Sequence, residues 1–550
     1  MLTTRPSPVF PPEIVREVLL YLPVSQLAKV CLASQLCYRL SFPFLNQAIK
    51  ITHPSHLERL TERLEYESPD ACDTGSLSLC LRSLTLNCNR KTCASLMRRF
   101  QEVVPKLKRL QHLDCPDYFD LDDVPRLLQV FKAECPRLTM LTLSHRVDDE
   151  SSLIEQAGEK IFVFENMTYL DLGWPDIIDS DNPSRPVPKG LIDMIENSPN
   201  LVALALDTRL SIELCNLKTP LKELRHIRLQ IESIEEIETT CRAFFKRHPH
   251  ITELELLREE LRLIYREGRP TSPDLMQELF PSVTRLTVAP DECVGFATSK
   301  IAEQLQVLSL IDEWCLLGEG YRDDVSHLAR VTHPLPKLKE LYFIHGPHSI
   351  DPSTSVRKDD LDKLLAAAPA LTVLDLACFC LYSNELLELL KRVPLLRKLG
   401  VRVMDNTYTF SRHNPDPPTD IFVDLVTKMK ETCPGLREIR LSLVSAPLYS
   451  EIVGKGTPCL SRTLQKDGEL IVWQHGTLEE NDNDNMSWLD RSLKESSYHM
   501  VWQTVFVEDV EPTYRLKDSL AAEYWDLKAV KQLASSSCGS SLWDSGSRPV

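Results

Sequence analysis

The sequence predicts an α/β solenoid in which each repeat contributes one strand and one helix to a long parallel sheet. Three observations support this prediction: an apolar phrase recurs down most of the chain, its copies are spaced by about 30 residues, and helix-like segments lie between them. Stacked repeats of this kind bury a continuous core and expose long strand and helix surfaces. The sequence therefore favours a protein that binds its partners on a long surface, in contrast to an enzyme built around a cleft.

The recurring phrase has the form Pro-x-Leu-x-x-Leu-x-Leu, with aliphatic variants, and five of its thirteen copies lack the Pro. Positions are counted from the first Leu of each copy or its aliphatic variant. Side chains alternate along a strand, so the fourth and sixth positions are predicted to face the core. The third, fifth and seventh positions face the other way. Where present, the Pro disfavours helical backbone at the preceding residue and separates helix from strand. The copies begin at Leu81, Leu110, Leu138, Met167, Leu201, Leu224, Ile251, Val283, Leu305, Leu338, Leu371, Leu396 and Leu436.

These copies resemble leucine-rich repeats of the longer, helix-containing kind. The resemblance implies a horseshoe of about thirteen irregular repeats across residues 81–445, with the strands on its concave side. The spacing of the copies varies, so we expect uneven curvature and loop insertions.

Residues 9–50 predict a small all-α segment ahead of the repeats. A helix opens at Pro11-Pro12-Glu13, carries an apolar stripe with Ile14 and Leu19, and stops at Leu22-Pro23, where a second amphipathic helix follows. So short a segment cannot bury its own core and must dock on something. One alternative is a helical hairpin that only caps the solenoid.

This segment resembles an F-box, through Phe10-Pro11-Pro12-Glu13-Ile14, Val18-Leu19 and Leu22-Pro23. Cys37 stands where the family usually has Trp. The resemblance implies contact with a Skp-type adaptor protein. The residues that would make this contact are Pro11, Ile14, Leu19, Leu22, Pro23 and Leu27.

The rest of the chain is divided by composition. We expect disorder in residues 1–8, a helical connection over 51–80, a capping segment over 446–534 and a disordered tail over 535–550. The region after residue 445 breaks the repeat but holds five of the seven tryptophans, and a solenoid end needs a cap. We predict that its strands cover the last repeat.

Composition excludes several classes of function. The net charge of −16 argues against a nucleic-acid surface, because phosphate binding needs concentrated Lys and Arg. No apolar run is long enough to span a membrane, and residues 1–8 do not resemble a signal peptide. We expect a cytoplasmic or nuclear protein whose 17 cysteines form no disulfide framework.

No motif in the chain points to catalysis. A phosphate-binding loop, a nucleophile elbow and a zinc-ligand pattern are all missing from the sequence, so we predict no enzymatic activity, no cofactor and no metal. An active site assembled from residues distant in sequence is the alternative that this search leaves open.

Together the two resemblances imply the substrate-recognition subunit of a Skp-cullin-F-box ubiquitin ligase. The F-box would bind the adaptor and, through it, cullin, while the concave face binds an unidentified protein substrate. A leucine-rich-repeat scaffold without ligase function is the alternative. Because Tyr, Trp and Arg dominate interface energetics, the predicted substrate contacts are Tyr169, Trp174, Arg228, Trp314 and Tyr342.

Overall fold

The computed structural model shows an α/β protein with parallel sheet pairing, which confirms the predicted fold class at that level. The contacts divide the chain into two compact units, Met1–Leu201 with Val510–Val550, and Val202–Asp509. The structure describes residues 11–20, 22, 24–67, 76–86, 94–115, 124–144, 164–173, 189–206, 214–231, 237–258, 272–312, 319–345, 357–405, 419–445, 463–466, 469–472 and 503–506.

Among its described residues, the first unit has five strands in the order β1 to β5, each parallel to the next. The strands are β1 (Ala48–Ile51), β2 (Ser83–Leu86), β3 (His112–Cys115), β4 (Met140–Ser144) and β5 (Tyr169–Gly173). The helices are α1 (Pro12–Leu20), α2 (Val24–Cys31), α3 (Gln35–Leu45), α4 (Pro54–Tyr66), α5 (Leu77–Cys80), α6 (Ala94–Val103), α7 (Val124–Glu134) and α8 (Lys189–Glu196), with a 3₁₀ turn at Val104–Lys106.

The second unit continues the alternation of strand and helix. Its parallel strands are β6 (Ala203–Leu206), β7 (His226–Ile231), β8 (Glu253–Arg258), β9 (Arg285–Val288), β10 (Val307–Asp312), β11 (Glu340–His345), β12 (Val373–Tyr382), β13 (Lys398–Asp405) and β14 (Glu438–Ser445). Its helices are α9 (Arg242–Arg247), α10 (Pro273–Leu279), α11 (Pro290–Ala297), α12 (Glu319–Val331), α13 (Lys358–Ala367), α14 (Ser383–Leu390) and α15 (Thr419–Thr432), with 3₁₀ turns at Leu214–Asn216 and Lys300–Glu303 and a π turn at Ile237–Cys241.

The fourth position of each predicted repeat lies in the core, as the alternation predicts. In the first unit Leu84, Leu113, Leu141 and Leu170 stand side by side on adjacent strands, and each has 0% exposure. In the second unit the same row runs from Leu204 to Ile439, and its described members are all at most 1% exposed. Complete burial of a leucine contributes about 1.5–3 kcal/mol, so these rows supply much of the cohesion of each sheet.

The sheet of the first unit begins earlier than the repeat pattern indicates. Strand β1 pairs in parallel with β2, placing Ile51 beside Leu86, so the sheet starts at Ala48 and not after residue 80. Helix α4 therefore connects two paired strands. Residues 48–51 lack the Pro and the leucine spacing of the phrase, which is why the sequence assigns residues 48–50 to the F-box and Ile51 to the helical connection.

After β14 in the second unit, the chain forms three short strands in an antiparallel arrangement. They are β15 (Thr463–Lys466), β16 (Glu469–Val472) and β17 (Gln503–Phe506). Strand β17 pairs with the start of β14, Glu438 opposite Phe506, and β16 pairs with β17. This pairing covers backbone groups that would otherwise lie at the sheet edge. The helix predicted near residues 516–533 lies outside the described residues.

Truncation after Ser445 is expected to reduce the soluble fraction strongly, because it removes β17 from the edge of β14 and an uncovered edge recruits other chains. The fraction can be measured by centrifugation and size-exclusion chromatography of the expressed protein. Deletion of residues 535–550 alone is the control and should change little. A monomeric truncated protein with an undiminished melting temperature would show that the segment is not a cap.

Candidate protein-binding surfaces

The three N-terminal helices form a small bundle with a thin interior. Helices α1 and α2 both contact α3, and the interior holds Leu19, Leu27 and Phe42, which are 2%, 4% and 3% exposed. Helix α3 begins after Ser34, whose hydroxyl oxygen accepts a hydrogen bond from the backbone N–H of Cys37 at 3.1 Å. The guanidinium of Arg63 lies 4.9 Å from the ring centre of Phe42 and ties the bundle to helix α4.

The outside of this bundle is unusually apolar. Six of the eleven exposed large apolar side chains in the described part of the chain lie there, and these six are 42% to 87% exposed. A single exposed leucine is normal, but a concentration of them marks an interaction surface. We call these residues the N-terminal apolar set: Ile14, Val18, Leu20, Leu32, Leu36 and Tyr38.

The predicted adaptor residues fall into different environments. Pro11 and Ile14 are exposed and Leu22 is half-buried, whereas Leu19 and Leu27 are buried against their own chain. Pro23 lies outside the described residues. An approaching protein would therefore meet Ile14, while Leu19 and Leu27 hold the helices together.

Sequence reasoning did not single out Leu32, Leu36 and Tyr38. An apolar periodicity identifies the amphipathic helix but does not tell which of its apolar residues the neighbouring helices cover. The signal that could have found them is their spacing around the Ser34 cap: Leu32 precedes α3, and Leu36 and Tyr38 lie in its first turn.

On the sheet surface opposite the leucine rows, the first unit carries linked polar side chains. The Oγ of Ser83 is 3.0 Å from Nδ1 of His112, and the ring of His112 meets the ring of Tyr169 edge-on at 6.3 Å. Burial lowers the pKa of His112, and the nearby charge of Asp171 only partly opposes this effect. His112 is therefore a neutral group near physiological pH. The Tyr169 hydroxyl donates to Asp171 at 3.4 Å.

The same surface of the second unit is built from ion pairs between neighbouring strands. Nε2 of His226 on β7 lies 3.1 Å from Oε1 of Glu255 on β8, and Nε of Arg285 on β9 lies 3.3 Å from Oε1 of Glu253. On β11 the hydroxyl of Tyr342 donates to Glu340 at 2.8 Å. The oppositely charged groups of each of the two ion pairs lie close enough to neutralise one another within the chain.

Burial is the main reason that the pKa of Tyr342 is raised, and the charge of Glu340 adds to it. The phenol thus keeps its proton and remains a hydrogen-bond donor to Glu340.

Of the five predicted substrate contacts, Tyr169, Arg228 and Tyr342 are half-buried on sheet surfaces, the first in one unit and the others in the second. Trp174 and Trp314 lie outside the described residues.

The described residues contain no group of three or more His, Cys, Asp or Glu side chains placed to hold a metal ion. No helix among them has both the length and the apolar character needed to cross a lipid bilayer.

No protein-family model matches the chain, and no curated protein matches it.

Gly400 on β13 lies beside Asp375 on β12, and a Cβ at position 400 would stand 2.6 Å from Oδ1 of Asp375. Gly400→Ala should therefore displace that carboxylate and cost about 1–3 kcal/mol of stability, measured by denaturant unfolding.

Gly435→Ala is the matched control, because the nearest atom to its Cβ would be the Leu396 carbonyl oxygen at 3.4 Å. That substitution should change stability by less than about 1 kcal/mol. Equal stability of the two variants would show that the carboxylate of Asp375 can move away from a Cβ at position 400 without a measurable cost in stability.

Proposed function

We propose that the chain is the substrate-recognition subunit of a Skp-cullin-F-box ubiquitin ligase. In this proposal the N-terminal helices are an F-box, the following sheet and helices are leucine-rich repeats, and a protein target binds on the strand surface. The observation that carries the proposal is the N-terminal apolar set, which lies directly ahead of the repeated parallel sheet. The similarity of residues 10–23 to the F-box pattern supports the same assignment.

The physical case for an adaptor rests on the exposed apolar area. Burying one large apolar side chain contributes about 1.5–3 kcal/mol, so covering several of the set supplies enough free energy for stable association. Tyr38 packs against the buried ring of Phe42 at 5.5 Å between ring centres, whereas Ile14, Val18 and Leu32 remain more than half exposed. Contact with another protein would bury the exposed area of these three side chains.

The proposed mechanism requires no catalytic group in this chain. Binding the adaptor through the N-terminal helices and a target through the strands would hold the target close to ubiquitin-transferring subunits, and proximity alone raises the rate of such an encounter. The strand surface suits this role, because it carries the half-buried side chains of Tyr342 and Arg228, residue types that are enriched at protein interfaces. Cullin would be reached through the adaptor.

Adaptor binding should be lost in the double variant Ile14→Asp, Val18→Asp. Both side chains are about half exposed, at 51% and 55%, so the free protein tolerates the charges. An interface would bury them without partners, at a cost of several kcal/mol, on the order of an unpaired buried carboxylate. The measurement is copurification of the Skp-type adaptor with the full chain.

Leu395→Asp is the matched control, since Leu395 is 57% exposed in the second unit and its substitution should leave adaptor binding intact. Undiminished binding by the double variant would contradict the proposed docking surface. Failure of the unmodified chain to retain the adaptor would favour the leucine-rich-repeat scaffold without ligase function.

Target binding should be weakened by alanine at Tyr169, Arg228 and Tyr342 together. Tyr and Arg anchors at interfaces each contribute about 1–4 kcal/mol, so the combined loss should remove at least one coprecipitated protein. The measurement is immunoprecipitation from proteasome-inhibited cells followed by mass spectrometry.

The control carries alanine at three exposed Tyr and Arg residues that lie outside the strands: Tyr66, Arg98 and Arg392. Its partners should match those of the unmodified chain, and both variants should keep the adaptor. An identical set of partners in all three proteins would rule out these residues as target contacts.

A further inference from the structure

Glu255 is an unusual residue on the strand surface of the second unit. It is only 8% exposed, and its Oε1 lies 3.1 Å from Nε2 of His226 on the neighbouring strand. Its other oxygen, Oε2, is also buried and receives no hydrogen bond from the described residues. A buried carboxylate is costly unless it is paired, so the arrangement depends strongly on His226.

The strands packed beside this pair determine which other groups face His226. Strand β6 presents only alanines, Ala203 and Ala205, to this side of β7. Strand β9 presents Arg285, which is bound to Glu253 at 3.3 Å, and Thr287. The charged groups that face His226 from its own strand and from β8 are Arg228, Glu253 and Glu255.

We infer that His226 and Glu255 form a proton-operated clasp between β7 and β8, closed while His226 carries a charge and loosened when it loses its proton. The neutral imidazole can still donate one hydrogen bond, but it no longer balances the charge of the buried carboxylate. Glu255 would then be a buried carboxylate without the compensating charge of His226, and its movement toward water would disturb the surface formed by β7, β8 and β9.

The direction of the pH dependence follows from the same contacts. Burial lowers the pKa of His226, but the hydrogen bond and the charge of Glu255 outweigh burial, so the pKa is raised. A raised pKa means that the pair stabilises the fold fully below the unfolded value of about 6.5. This stabilisation disappears as the pH rises through the pKa of the folded protein.

The clasp has a consequence for the proposed binding surface. Arg228 lies on the same strand as His226, two residues along and on the same side. Loosening of β7 would therefore move a residue predicted to contact the protein target, and target binding would weaken with rising pH. This consequence rests on the proposed function, whereas the clasp itself does not.

Amide hydrogen exchange of the full chain tests the clasp directly. Exchange is followed by mass spectrometry in peptides from residues 226–231 and 253–258 at about pH 6 and about pH 8, corrected for the intrinsic pH dependence. Protection in the unmodified chain should fall by about tenfold for each unit by which the pKa of His226 is raised. In His226→Gln the amide still donates to Glu255 but cannot titrate, so the corrected protection should be the same at both pH values.

Arg285→Gln is the matched control, because it removes the neighbouring pair with Glu253 through a guanidinium that does not titrate in this range. Its protection should shift equally at both pH values and keep the pH dependence of the unmodified chain. Equal corrected protection at both pH values in the unmodified chain would overturn the clasp, as would a pH dependence that survives in His226→Gln.

A second measurement does not depend on exchange. With histidines labelled at Cε1, the resonance that disappears in His226→Gln should titrate above the ordinary pKa of histidine, and its midpoint should fall in Glu255→Gln. A midpoint at or below the ordinary value would also contradict the clasp.

Discussion

Parallel pairing of neighbouring strands in a fixed register is the constraint on which both units depend. Because Leu84, Leu113, Leu141 and Leu170 occupy the same place on successive strands, each leucine packs against the next and none meets water. A shift of one residue would exchange the leucine row for the polar row. The register therefore determines at once where the core lies and which side chains form the opposite surface.

That constraint leaves two kinds of surface with different physical character. The strand surface is polar and its charges are largely matched within the chain, as in the pair of Arg285 with Glu253. The outside of the N-terminal bundle is apolar and unmatched, with Leu32 87% exposed. An internally matched polar surface supports selective and reversible binding, whereas an exposed apolar one favours a stable partner. The proposed division between target and adaptor follows this difference.

The sequence predicted the features that depend on local pattern. The alternation within each copy placed Leu84 and Leu86 in the core correctly, because a strand has a period of two. Features that depend on tertiary contact were out of reach. Strand β1 carries no leucine phrase and is defined by pairing with β2, and the burial of Leu19 becomes visible only once α3 covers it. The clasp of His226 with Glu255 likewise required the register of β7 and β8.

We propose that the outside of the N-terminal bundle is a docking surface for an adaptor. Hydrogen exchange of the full chain with and without purified Skp-type adaptor tests this claim most directly. The account predicts slower exchange in peptides from α1, α2 and α3, and unchanged exchange in the strands of the second unit. Unchanged exchange throughout residues 12–45 at saturating adaptor, or slowing confined to the strands, would contradict it.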